Sequence, residues 1–322
     1  MDPCKAFMLA LMRIHVDPCG SMWIHEDLYE DLYEDTRGLQ RNRITDIIRR
    51  HLLTRGCRLQ GNSSGRMRRI MANIVRIEVC IDDPSFASAS AAAGADRIEM
   101  CSALDLGGLT PTPSALGRSI QSGIPVTAMT RLRPGDFILD PEDISRMRDE
   151  IVSHIAAGAE GIVLGALKNN GEIDTEALSW LLDACNGTPV TFHRAFDHCS
   201  DRILGLEQII DSGCQRLLTS GGAPSALEGV EEVARIVEAA DGRIEVMAGG
   251  GVRPGCGAEL VRRSGVQWLH LSARDPASGA GAGPQRGSNP APLGSLDPGP
   301  DAPRMVTDPQ QIRQLAIELG RE

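Results

Sequence analysis

The chain has 322 residues, 42% of them hydrophobic and 24% charged, with a formal net charge of −10. That length suits one large or two average domains, and the acidic balance argues against a nucleic-acid partner, which would need a net basic face. The longest early apolar run, AFMLALM at 6–12, falls far short of the roughly 20 residues that cross a bilayer, so no membrane partner is expected.

The start of the chain lacks the charged, apolar and small-residue succession of a secretory signal. Its nine cysteines include no CxxC pair. They read as reduced thiols of a cytoplasmic protein rather than a disulfide frame or a zinc ribbon. Residues 1–71 are irregular: an acidic duplication, EDLYEDLYED at 26–35, is followed by an arginine-rich stretch from Arg41 to Arg69. This composition predicts a solvated, disordered extension.

Globular patterning begins abruptly at MANIVRIEVC, which Met71 opens. Strands are predicted at 74–81, 96–101, 125–131, 161–166, 189–194, 216–220, 243–248 and 267–272, with helical stretches between them such as 141–158 and 176–187. A small residue and a glycine ahead of a strand recur as AAGADRIEMC (92–101), AAGAEGIVLG (156–165), DSGCQRLLTSG (211–221) and RSGVQWLHLSA (263–273). Interleaved are IVRIEVC, GIPVTAM, GTPVTFH and GRIEVMAG, giving four copies of a two-unit module. Such periodicity predicts a closed (β/α)8 TIM barrel over residues 72–320. An open sheet would be expected to carry a glycine fingerprint after its first strand, and IEVCIDD has none. Residues 274–305, dense in Pro, Gly, Ala and Ser, predict an insertion without a core of its own. Then DPQQIRQLAIELG at 308–320, with an Asp cap, Pro at the first helical position and a terminal Gly, predicts the eighth helix.

Side chains alternate across a strand, so parity assigns faces. Val75, Ile77 and Val79 oppose Arg76, Glu78 and Cys80; Ile98 and Met100 oppose Arg97, Glu99 and Cys101; Val190 and Phe192 oppose Thr191 and His193. The apolar set is expected to face the helices. The barrel axis would then receive Glu78, Glu99 and His193, together with Arg131 and His270, near the strand ends where barrel sites are built. Buried carboxylates there must be paired or solvated. A structural polar network closing the barrel is the plain alternative to a functional site.

The stretches IEVCIDD (77–83), AGADRIEMCSALDLGGLTPT (93–112), RLRPGDF (131–137), VTFHRAFD (190–197), LLTSG (217–221), MAGGGVR (247–253) and HLSA (270–273) together resemble the CutC copper homeostasis family. The resemblance implies a cytosolic (β/α)8 barrel that self-associates into homo-oligomers and handles copper. One departure is the arginine loop, which in the family looks like RPRGGDF and here carries Leu132 and Pro134. In a reducing cytosol the ion is Cu(I), which prefers sulfur. The copper association then maps onto Cys80 and Cys101, at the ends of adjacent strands about 5 Å apart, with His193 or Met129 as further ligands. Buried cysteines that serve only as small hydrophobes are the plain alternative.

A second reading is an enzyme acting on a small carboxylate- or phosphate-bearing metabolite. Glu78 and Glu99, with His193, would transfer protons. Arg131, Arg133, Asp136, Arg194 and His270 would contact the substrate, the arginines through bidentate bonds. Arg194 has the opposite parity to His193, so an ion pair with Asp197 that anchors the loop is an equal expectation for it. The GGGVRPG loop at 249–255 follows the seventh strand, where barrels often hold phosphate. A non-catalytic interaction protein is a third class, suggested only by the extension.

Overall fold

The computed structural model describes residues 75–276 and 305–321. The extension over 1–71 and most of the insertion therefore lie outside the described residues. Eight parallel strands close on themselves in sequence order, β8 pairing back to β1. They are β1 (Arg76–Ile81), β2 (Arg97–Met100), β3 (Val126–Met129), β4 (Gly161–Leu164), β5 (Val190–Phe192), β6 (Arg216–Thr219), β7 (Glu245–Gly249) and β8 (Trp268–Leu271). The helices are α1 (Ala87–Ala92), α2 (Pro113–Ile120), α3 (Pro141–Ala156), α4 (Thr175–Cys185), α5 (Arg202–Asp211), α6 (Val230–Ala240), α7 (Gly257–Ser264) and α8 (Pro309–Glu318). The chain is thus the (β/α)8 barrel that the repeat predicted.

Helix starts follow from side chains that satisfy otherwise orphaned N–H groups. Thr112, Asp140, Asp174, Asp201 and Asp308 each accept a backbone N–H at the start of a helix, and Pro113, Pro141 and Pro309 occupy the first turn. The apolar parity of the strands faces outward: Ile77, Val79, Ile98, Val126, Ile162, Val190 and Phe192 share one buried layer with Leu116, Ile151, Leu178 and Leu181 of the helices. The opposite parity fills the axis with two smaller groups, Cys80, Cys101, Met129 and Val163, and Leu218, Met247 and Trp268.

The N-terminal half of the axis is ionic rather than aliphatic. Arg97 donates to the Glu78 carboxylate and to Met247 Sδ at 2.9 Å, and its guanidinium lies 3.9 Å from the centre of the Trp268 ring. Arg216 pairs with Glu245 at 3.4 Å just below. Glu78 is wholly buried and Arg97 4% exposed, so this layer closes the axis from beneath.

At the other end of the chain, α8 packs against α1 and α7. Its Leu315 sits where a side chain on Gly257 would stand, and Arg321 pairs with Asp96 at 2.6 Å. Beside β8, β9 (Arg274–Pro276) and β10 (Met305–Thr307) form an antiparallel pair that brackets residues 277–304. Among the described residues, no helix is long and apolar enough to cross a membrane.

Candidate functional site

Register brings the chemistry together. Cys80 and Glu99 are partners across β1 and β2, and Glu78 and His270 are partners across β1 and β8. Glu99 Oε2 lies 3.0 Å from His270 Nε2 and accepts from Cys101 Sγ at 3.5 Å. One ligand atom each from Cys80, Glu99 and His270 lies within 4.8 Å of the others, and all three residues are buried. Cys101 and Met129 pack with Cys80, so two thiols, a thioether, an imidazole and a carboxylate converge at the floor of the barrel mouth.

Electrostatics divide these groups. Burial is the main cause that raises the thiol pKa of Cys80, and it raises that of Cys101 further, with Glu99 adding to both. Burial alone would lower His270, but the facing Cys80 sulfur and Glu99 carboxylate raise it well above its usual range. Burial would also raise Glu78, yet Arg97, His270 and Arg216 together hold it below the usual carboxylate range.

His193 stands apart from this group. Its Nδ1 accepts the Ala195 N–H at 3.2 Å and its ring meets Phe137 edge-on at 5.1 Å. Burial, and then the charge of Arg131, push it down to about 3, so it is neutral at physiological pH. Gly165 is required beside it, since an added Cβ would lie 2.4 Å from the imidazole.

Above the floor opens a cavity of about 600 Å³, whose wall includes Cys80, Glu99, Met129, His193 and His270. Arg131 reaches it from the end of β3, held by the carbonyls of Leu106 and Gly135 at 3.0 and 2.9 Å, with its guanidinium 4.8 Å from the centre of the Phe137 ring. Arg194 also lines it, donating to Asp197 at 2.7 Å and to Ser220 Oγ at 2.8 Å. Asp197 further accepts from Thr219 and from the backbone of Ser220 and Gly222, which ties the loop after β5 to the one after β6. Arg194 is thus both a loop anchor and a cavity residue.

Three expected site residues fall elsewhere. Arg133 and Asp136 are exposed, pair with each other at 3.0 Å and do not line the cavity; Arg133 also reaches Asp143 at 3.6 Å, fastening its own loop to α3. Glu78 has the expected inward parity but lies beneath the cavity, engaged by Arg97. Two cavity arginines escaped the sequence reading, Arg253 and Arg274. Arg253 sits in the glycine-rich loop after β7, and that loop was the available signal. Cys185, Cys199 and Cys214 belong to the outer apolar layer, where burial pushes each thiol up to about 12.

The sequence profile of the CutC family matches residues 75–275. A CutC family protein of Caulobacter vibrioides is 45% identical over 217 residues, covering 67% of this chain and 89% of that protein. Its counterpart in Histophilus somni is 48% identical over 202 residues, covering 62% and 82%. Among solved structures, one from Streptococcus agalactiae, described provisionally as the copper homeostasis protein CutC, superposes with a TM-score of 0.60 at 31% identity, covering 62% of this chain and 98% of that one. Profile, relatives and fold agree: the chain belongs to the CutC family.

Proposed function

We propose that this chain is a cytoplasmic copper homeostasis protein whose cargo, Cu(I), is taken by the sulfur-rich floor of the barrel mouth. The observation that carries this reading is the convergence of Cys80, Cys101 and Met129 with His270 at one buried point. Thiolate, thioether and imidazole are the donors a soft monovalent ion prefers. Cys80, Cys101 and His270 would be the principal ligands, with Met129 as a weaker neutral one. Glu99 is a poor ligand for this ion, and its place is to orient the imidazole and relay protons that leave the site to solvent. Among the described residues its Oε1 is buried without a hydrogen-bond partner, the state of a carboxylate with spare accepting capacity. The description of the Streptococcus agalactiae relative points the same way.

Binding requires both thiols to lose protons that burial holds on them more firmly than usual, and His270, whose pKa Cys80 and Glu99 raise, to lose its own before its ring nitrogen can ligate. Uptake therefore releases protons and strengthens as pH rises. Anaerobic titration against a chromophoric Cu(I) competitor tests this. Even an outer partner of a metal ligand is worth about 10–100-fold in affinity, so Cys80→Ser with Cys101→Ser is expected to weaken binding by about 100-fold or more. The wild type should bind more tightly at pH 8 than at pH 6. Equal affinity in the double variant and the wild type would overturn the assignment.

A further inference from the structure

We propose that the upper part of the cavity is a binding site for a small phosphate monoester, held by Arg131, Arg253 and the backbone of Gly250–Val252. The proposal uses none of the sulfur ligands, so it stands or falls separately from the copper reading. Size is the first observation. A cavity of about 600 Å³ has room for many waters, each with a share of about 30 Å³, where one ion needs only its ligands.

Charge is the second. In a chain of net charge −10, the cavity wall carries Arg131, Arg194, Arg253 and Arg274 against Glu99 and Asp275. Arg274 is neutralised by Asp105 at 2.7 Å, and Arg194 by Asp197. Arg131 is held only by neutral carbonyls, and among the described residues neither it nor Arg253 has a carboxylate within ion-pair distance. Two positive charges at the mouth are therefore left for a ligand, and guanidinium groups suit phosphate oxygens.

The third observation is the backbone. Gly250 and Gly251 adopt φ of +102° and +69°, and among the described residues the N–H groups of Gly250, Gly251 and Val252 meet no acceptor. Successive free N–H groups in a turn form an anion-binding concavity, and the loop after the seventh barrel strand is where barrels commonly hold phosphate. Gly250 also lets Arg194 lie against this loop, since a Cβ there would come within 3.1 Å of the guanidinium carbon. Gly107 does the same for Arg131, at 3.1 Å from Nη1. A phosphate seated here would extend its organic part toward the His270–Glu99 pair on the floor.

The experiment is calorimetric titration of the full chain with glycerol 3-phosphate, with glycerol and succinate as controls. Arg253→Ala is the chosen variant because Arg253 is exposed and, among the described residues, makes no ion pair, so its loss is expected to leave the fold intact. Glycerol 3-phosphate is expected to bind, glycerol not to, and Arg253→Ala to weaken binding by about tenfold or more, the worth of one charge-assisted bond. Cys80→Ser should leave phosphate binding unchanged, and Arg253→Ala should leave Cu(I) binding unchanged. No binding of glycerol 3-phosphate, equal binding in Arg253→Ala, or tighter binding of succinate would each overturn the proposal.

Discussion

His193 and His270 both face the barrel interior, yet their surroundings drive them in opposite directions. Burial disfavours the charged form of His193 and the Arg131 charge adds to it, while among the described residues no carboxylate pairs with the ring, so its pKa falls from 6.5 to about 3. The unfolded chain therefore takes up a proton on this residue below pH 6.5 that the native state refuses. Stability is full above that pH and is lost as pH falls toward 3. Measured by urea unfolding, the advantage of the wild type over His193→Asn should shrink by about 2 kcal/mol between pH 7 and pH 5. A constant difference would mean that His193 carries its proton in the fold. His270, raised by Cys80 and Glu99, acts with the reverse sign and contributes equally to both proteins, so it drops out of the comparison.

At the scale of elements, β1 and β2 meet through the buried Glu78–Arg97 pair, which fixes their register where Glu78 stands opposite Arg97. Removing one member of such a pair leaves a charge without a partner, at a cost of about 3–5 kcal/mol, whereas replacing both can be nearly neutral. Arg97→Met is thus expected to lower the urea midpoint sharply, and Arg97→Met with Glu78→Gln to restore most of the loss. Strand alternation was enough to foresee that Cys80, Glu99, Cys101 and His193 turn inward, because parity depends on the local backbone alone. It gives the face of a side chain but not its height along the axis. Glu78 and Glu99 are alike in parity, and only the register and the position of Arg97 put one beneath the floor and the other on it. Arg133 and Asp136 illustrate a second limit: they lie on a loop that Arg133 fastens to Asp143 at the start of α3, which turns both side chains away from the cavity. Arg253 and Arg274 stayed hidden for the same reason, since the loop and the short β9 that carry them gain their direction only once the barrel closes.

For the molecule as a whole, closure depends on a helix that lies beyond the insertion in sequence and packs against the first helix in space. Ile312 and Leu315 of α8 are fully buried, and each such side chain contributes about 1.5–3 kcal/mol. Deleting residues 309–322 should therefore lower stability by at least about 3 kcal/mol in urea unfolding; an unchanged midpoint would show that the barrel closes without α8. The eight-fold repeat and this final helix were legible because they are written locally, in caps and glycines. The β9–β10 pairing was not, since its two strands are three residues each and separated by a long stretch of chain. That small ladder has a practical consequence. It brings the two ends of residues 277–304 side by side, so the entropy of closing that loop is already met by backbone bonds and grows only slowly with length. The chain can accordingly accept a spliced-in reporter domain at this point while the last helix keeps its seat. Because Arg274 and Asp275 border the cavity, a fluorophore placed there would look directly onto whatever enters it.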